Sequence, residues 1–290
     1  MKSKFYPVIL MVLAILTFTA CDEMISEVEP PKTASQKLVV TSFISPESDF
    51  LTITVSKTRM IYETRPANEY GHKPVEDAIV TISDGINTVQ LPYNEATLNY
   101  KVSQQLLPVV EGRTYYLNVT APGGFVATSS CTVPDKLPPA IEIDQIDTAD
   151  YDFYQIFYTI YFKFRDIPGE GDYYGVYVGR QSEDGPWSEN PQQSAIYSEG
   201  FDRGETFVSD KNIDGQYFTY KTYEMFLNNS ETTFNFTLCL TDIHYYKYHK
   251  AVWSQSDDNP FAEPYPIYSN VDGALGVFCA YRSRIVEFKL

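Results

Sequence analysis

The stretch FYQIFYTIYFKFRD, residues 153–166, decides the fold class. Tyr154, Ile156, Tyr158, Ile160, Phe162 and Phe164 share one parity, while Gln155, Thr159, Lys163 and Arg165 share the other. Successive side chains of a strand point to opposite faces, whereas a helix would scatter this pattern around its axis. The segment predicts a long strand, central in a sheet with one wetter side.

The same two-residue period recurs on both sides of it. In FLTITVSK (50–57), Leu51, Ile53 and Val55 oppose Thr52, Thr54 and Ser56. KLVVTSFIS, AIVTIS, INTVQL, TLNYKV, GRTYYLNVT and FVATSSCTV read as further strands between residues 37 and 133. Asp84-Gly85 and Pro122-Gly123-Gly124 supply turn signals between them, while residues 58–74 read as a long loop. About seven short strands spaced by turns predict an immunoglobulin-like or prealbumin-like sandwich over 37–133. PDKLPPA, residues 134–140, with three prolines in seven residues, reads as a stiff linker.

A second β-rich domain is expected over 141–290. DYYGVYVGR, QYFTYKTYEMF and TTFNFTLCLTDI join the opening segment as its strands, and Gln181–Asn212 reads as a polar, irregular insertion. Residues 243–255, IHYYKYHKAVWSQ, lose the two-residue period. Tyr245, Tyr248 and Val252 form a helical stripe there, and Thr241 or Asp242 is placed to cap it. The expected fold class is all-β, a sandwich followed by a second β-rich domain with one helix.

Bulk composition agrees and excludes some partners. Tyrosine and phenylalanine number 24 and 18, favouring strands. The net charge is −16, which repels phosphate backbones, so no nucleic-acid partner is expected.

The N-terminus carries its own pattern. Lys2 and Lys4 precede a twelve-residue apolar run, Phe5–Leu16, interrupted by Pro7. A membrane-spanning helix needs about 20 apolar residues, so this run fits the core of a signal peptide. Phe18-Thr19-Ala20-Cys21 resembles the lipobox of bacterial lipoproteins, in which the cysteine is lipidated and becomes the new N-terminus. The resemblance implies a signal peptide over 1–20 and acyl chains on Cys21, the one non-protein group expected, with no cofactor. Cleavage there removes two lysines and no acid, taking the net charge to −18. Asp22, Glu23, Glu27, Glu29 and Pro30-Pro31 make residues 21–36 an acidic, extended tether. The same run resembles a surface-export signal of Bacteroidetes outer-membrane lipoproteins; plain solvation of a linker explains the carboxylates almost as well.

No catalytic residue stands out. Nucleophile elbows and phosphate-cradling glycine loops are absent from the sequence. Cys131, Cys239 and Cys279 sit in apolar strand contexts that favour inert thiols, and a bridge between Cys239 and Cys279 is the one conceivable pairing. His244 and His249, five apart, lie about 140° apart on a helix and do not share a metal face. They read as partly exposed helix residues. The metal candidate is DKNIDG, where Asp210, Asn212, Asp214 and Gly215 open like a calcium loop. Lys221 stands where the bidentate glutamate belongs, and a simple Asp-Gly turn competes with that reading. Aromatics in YYGVY, GPWSEN and YYKY read as core first and as a platform for glycan or peptide second.

NPFAEPYPIYSNVDGALGVFCAYRS, residues 259–283, resembles the closing signature of a Bacteroidetes lipoprotein family, domain of unknown function 4249. The matching positions are Asn259, Pro260, Phe261, Glu263, Pro264, Tyr268, Ser269, Asn270, Gly273, Gly276, Phe278, Ala280 and Tyr281. KLVVTSFISPES, PVEDAIVTISDG, GRTYYLNVTAPGG and YYKYHKA fit the same family, while Cys279 departs from its usual glycine. By resemblance the protein is a lipid-anchored, surface-facing outer-membrane accessory to a TonB-dependent β-barrel transporter, non-catalytic, with a small ligand, glycan or peptide as cargo. A hydrolytic lipoprotein acting on glycan or peptide, or a structural envelope component, is the alternative. Read from its residues, the signature is a structural clasp before it is a docking surface. Its prolines forbid a ladder, and Gly276 permits a close approach.

Overall fold

Strand alternation is followed by burial almost residue for residue: β1 (Leu38–Ile44) buries Leu38, Val40, Ser42 and Ile44 and half-exposes the residues between. The computed structural model describes residues 36–59, 73–151, 155–180, 196–198, 206–226, 232–254 and 266–290. Residues 1–35, which hold the expected signal peptide and all but the last residue of the expected tether, lie outside them, as do Tyr154 and Trp187.

After β1 come β2 (Phe50–Lys57), β3 (Lys73–Pro74), β4 (Ile79–Ser83), β5 (Thr88–Leu91), β6 (Tyr93–Asn94), β7 (Asn99–Ser103), β8 (Thr114–Ala121) and β9 (Phe125–Thr132). The second half holds β10 (Glu142–Tyr151), β11 (Gln155–Arg165), β12 (Tyr173–Arg180), β13 (Ile196–Ser198), β14 (Phe207–Ser209), β15 (Tyr217–Thr222), β16 (Met225–Phe226) and β17 (Thr233–Thr241). Helix α1 (Ile243–Ser254) and β18 (Leu275–Lys289) close the chain. The protein is all-β, with α1 the single helix among the described residues. β13 and β14 fall within the stretch expected to be irregular; both are three residues long, too short for periodicity to show.

Three sheets form two cores. A nine-stranded sheet runs β14-β12-β17-β18-β1-β2-β7-β6, with β3 beside β2. Its β1-β2-β7 end faces the four-stranded sheet β5-β4-β8-β9 across a core that includes Leu51, Ile53, Val80, Ile82, Tyr115 and Leu117. Its β14-β12-β17 end shares a core with the five-stranded sheet β10-β11-β15-β13, which also carries β16. That second core is aromatic. Phe164 stacks on Phe218 with centroids 4.9 Å apart, and Phe162 meets Phe236 edge-on at 4.9 Å. β11 is central, as its alternation predicts, and Ile160, Phe162 and Phe164 are its buried face.

β18 belongs to both cores. Its first residues pair parallel with β1, from Val39↔Leu275 to Ile44↔Ala280. Its remainder pairs antiparallel with β17, from Thr241↔Tyr281 to Thr233↔Lys289. Phe278 and Ala280 enter the first core, and Val286 and Phe288 pack against the second. The proline-rich stretch 134–140 separates the strands of the two cores in sequence. Even so, β18 closes both, and residues 37–58 and 70–290 make one compact unit.

Register also disposes of the conceivable disulfide. Cys239 lies opposite Ser283, four residues along β18 from Cys279, a separation of about 13 Å at strand rise. That is about twice the reach of a disulfide. Cys131, Cys239 and Cys279 are all free and buried.

Gly276 makes the parallel pairing sterically feasible. Its φ is +112°, and a Cβ there would collide with the backbone carbonyl of Val40. Gly276→Ala is expected to lower stability by more than about 3 kcal/mol through strain and clash together. A fall in the urea midpoint checks it; a variant as stable as wild type would show that this approach is relaxed.

Candidate functional site

Asp242 begins the site by ending β17. Its Oδ1 accepts the Tyr245 N–H at 2.7 Å and caps α1, while its Oδ2 accepts the Ala280 N–H of β18 at 3.0 Å. The Asp242 N–H donates in turn to the Ala280 carbonyl at 2.9 Å. One side chain thus starts the helix and holds the last strand. Burial pushes its pKa up to about 7 against three backbone N–H groups that pull it down.

α1 lies on the sheet face opposite the first core. Tyr245, Cys239, Val277 and Cys279 are buried there with Tyr177 and Phe207. The Tyr245 and Tyr177 hydroxyls bond at 2.7 Å. His249 stacks on Phe207 at 4.9 Å, near Phe43 and Tyr245. His249 is half-buried, in keeping with the expected partial exposure; the helix turns its ring inward beside Tyr245, and burial lowers its pKa to about 4. His244 instead points to the signature segment, its Nδ1 2.7 Å from the Tyr268 hydroxyl. Burial lowers its pKa too, helped by Lys247.

The signature holds β18 against β9. Asn270 donates through Nδ2 to the Phe278 carbonyl at 2.7 Å and accepts the Phe278 N–H at 3.0 Å, so its amide imitates a strand neighbour. Ser129 of β9 donates to the Asn270 carbonyl at 2.7 Å. Thr128 and Asp272 form an isolated bridge, and Gly273, at φ +78°, sits where a Cβ would strike the Val126 carbonyl. The Ser269 hydroxyl accepts the Val271 N–H. Phe278 is fully buried, and Tyr281 packs on Tyr245 at 5.5 Å. Asn259, Pro260, Phe261, Glu263 and Pro264 lie outside the described residues.

Between the two cores, at the start of α1, a cleft of about 360 Å³ is lined by Gly112, Asp135, Asp172, Tyr173, Thr241 and Asp242 among others. Behind it, carboxylate oxygens of Asp166, Asp172 and Asp210 all approach within 4.8 Å of one another. Of the candidate calcium residues Asp210, Asn212 and Asp214, Asp210 is the member of this group. Asp210 Oδ2 accepts the Gly171 and Asp172 N–H groups at 2.7 and 3.1 Å, and Asp214 accepts that of Gly169 at 2.8 Å. Asn212 is exposed at φ 71°. Asp166 accepts the Tyr174 hydroxyl at 2.7 Å and the Gly215 N–H at 2.8 Å. Burial raises the pKa of Asp172, opposed by Lys136 at 3.5 Å. These bonds tie β11, β12 and the loop before β15 together. Sequence reasoning missed Asp166, although its parity continues Phe162 and Phe164 onto the buried face. An inward-facing acid at a strand end was the available signal.

The aromatic motifs resolve mostly into packing. Of YYGVY, Tyr174 and Tyr177 are buried and Tyr173 packs on Tyr246 at 5.0 Å. Burial raises the pKa of Cys131, Cys239 and Cys279, making them poor nucleophiles.

Residues 25–284 match the family described as a domain of unknown function, DUF4249, and the chain is a member of that family. No curated protein matches the chain. Among solved structures, a crystal structure of a Salmonella alpha-2-macroglobulin mutant is similar at 9% identity and a TM-score of 0.25, covering 91% of this chain and 15% of that one.

Two outcomes follow from the clasp. Asn270→Ala leaves both polar groups of the buried Phe278 backbone without that partner, so a loss of about 2–4 kcal/mol is expected in urea titration. Asp242 has a folded pKa above its unfolded value of 3.8, so the folded protein holds a proton that the unfolded chain has lost. Its contribution is full below about pH 4 and fades by roughly 1.4 kcal/mol per unit as pH rises toward 7. Stability measured against pH is expected to fall less steeply over that window in Asp242→Asn than in wild type.

Proposed function

We propose that the protein is an outer-membrane lipoprotein, held by acyl chains on Cys21 and facing the cell surface, where it serves as a non-catalytic accessory to a TonB-dependent transporter. The observation that carries the reading is the leader: a short apolar run ending in Ala20 directly before Cys21, followed by an acidic, proline-bearing stretch. Acyl chains gain about 0.8 kcal/mol per buried CH₂, and two or more hold a protein to its membrane durably. Fifteen residues, 22–36, separate that cysteine from the folded unit. Fully extended they reach roughly 50–55 Å, enough to let the ectodomain stand beside a barrel. The ligand-binding role draws support from the character of the reactive side chains. The three remaining thiols are buried with raised pKa values, His249 is stacked on Phe207, and His244 is engaged with Tyr268.

Cys21→Ser is expected to stall processing or release the protein into soluble fractions. A variant that still matures and stays in the membrane would refute the anchor. Purification of the acylated protein in mild detergent should bring down a barrel in stoichiometric amount. Turnover of a glycan or peptide panel without such a partner would favour a hydrolase.

A further inference from the structure

We infer that the outer face of the four-stranded sheet binds a neutral polysaccharide, Tyr116 stacking on a sugar ring while the amide and hydroxyl side chains around it bond the sugar hydroxyls. The inference deepens the reading of the protein as a ligand-binding subunit and rests on it. Aspartate, glutamate, lysine and arginine make up 21% of the chain, yet β4, β5, β8 and β9 contain none of them. Alternate residues of these strands, among them Val80, Ile82, Leu117 and Val119, fill the first core, so the residues between them point outward. Register lines up Gln90, Thr81, Asn118 and Thr128 across the sheet. In a neighbouring row Tyr116 stands between Ser83 and Ser130. Charged residues border this face rather than occupy it. Glu76 and Asp77 lead into β4, Asp84 in the turn after β4 pairs with Arg113 at 2.7 Å, and Asp272 bridges to Thr128 beside β9.

Tyr116 is 51% exposed, and its ring edge lies 3.7 Å from where a Cβ on Gly85 would stand, so the turn supports the ring from one side. The exposed side chains of Gln90, Asn118, Thr120 and Ser130 make no hydrogen bond among the described residues, which leaves their donors and acceptors to solvent. A pyranose presents C–H groups to a tyrosine ring and hydroxyls to amides, and neither contact needs a charge. The lack of charge selects the ligand. A polyanion is repelled by the net charge of −16, and a polycation finds no carboxylate on these strands. A docked protein calls for an apolar centre with aromatic, methionine or arginine anchors. Here hydroxyl and amide side chains outnumber the exposed Ile79, Tyr116 and Val126. An extended peptide adds to the edge of a sheet through its backbone rather than to a face, and Asp272 already bridges the β9 edge.

Affinity electrophoresis of the acylated protein in mild detergent tests it, with hydroxyethylcellulose, galactomannan and dextran as probes and polygalacturonate as the charged comparator. At least one neutral polymer is expected to retard wild type equally at low and high salt, and polygalacturonate is expected not to. Tyr116→Ala and Asn118→Ala, confirmed as folded by thermal melts, are each expected to weaken that binding about fivefold or more. Lys221→Glu, on β15 of the five-stranded sheet, should bind as wild type does. The inference is overturned by no retardation in any neutral polymer, by equal retardation of wild type and both variants, or by equal retardation in polygalacturonate. Loss of the co-purifying barrel in Tyr116→Ala would overturn it in favour of a protein-docking face. Wild type that purifies with its barrel and binds no polymer refutes this inference alone. Wild type that binds polymer without a barrel instead refutes the accessory role and leaves sugar binding standing.

Discussion

The hydrogen bonds along the two edges of β18 hold the molecule together. One edge runs parallel with the first strand of the fold and the other antiparallel with β17. Fifteen residues at strand rise span about 50 Å, long enough to serve one core and then the next. The β1 pairing joins residues separated by most of the chain, so the first sandwich lacks an edge until the last strand arrives. Such non-local pairing carries a loop-closure cost and slows folding. It also explains why a segment resembling a family signature sits at the C-terminus: the closing strand must be right for either core to be complete.

Side chains that imitate backbone recur wherever β18 changes partner. Asp242 and Asn270 each engage a strand residue through both a donor and an acceptor group. Glu47 does related work at the crossing point, accepting the Ser283 N–H at 3.2 Å and meeting Arg282 at 3.1 Å. A buried backbone amide without a partner costs about 1–3 kcal/mol, so Asp242 and Asn270 stabilise the transit more than a surface ion pair would. α1 then covers the other face of the same strand with aromatic rings, and this places the helix, the clasp and the cleft side by side.

Acids surround the cleft and the β11–β12 junction, where backbone amides and Tyr174 stabilise them. On the outer face of the five-stranded sheet the cations of β11 and β15 alternate with tyrosines, and acids of β10 offset them: Glu142 lies opposite Lys163, and Asp144 bonds it.

Much of the fold was legible because burial on one face imposes a two-residue period that sequence displays directly. FLTITVSK and the opening β11 stretch showed their buried faces, and the change of period marked Thr241 or Asp242 as the helix cap, which the structure gives to Asp242. Gly276 announced a close approach without naming Val40 as its partner. What only tertiary structure decided was pairing between distant segments. Nothing local to residues 275–289 says that half the strand joins β1 and half joins β17. The convergence of Asp166, Asp172 and Asp210, the inward turn of His249 and the alternation of rings and cations across β11 and β15 likewise depend on register. Periodicity is a property of one segment and register of two, so the sequence alone determined strands and the place of the helix, while the shared strand and the faces it creates came from packing.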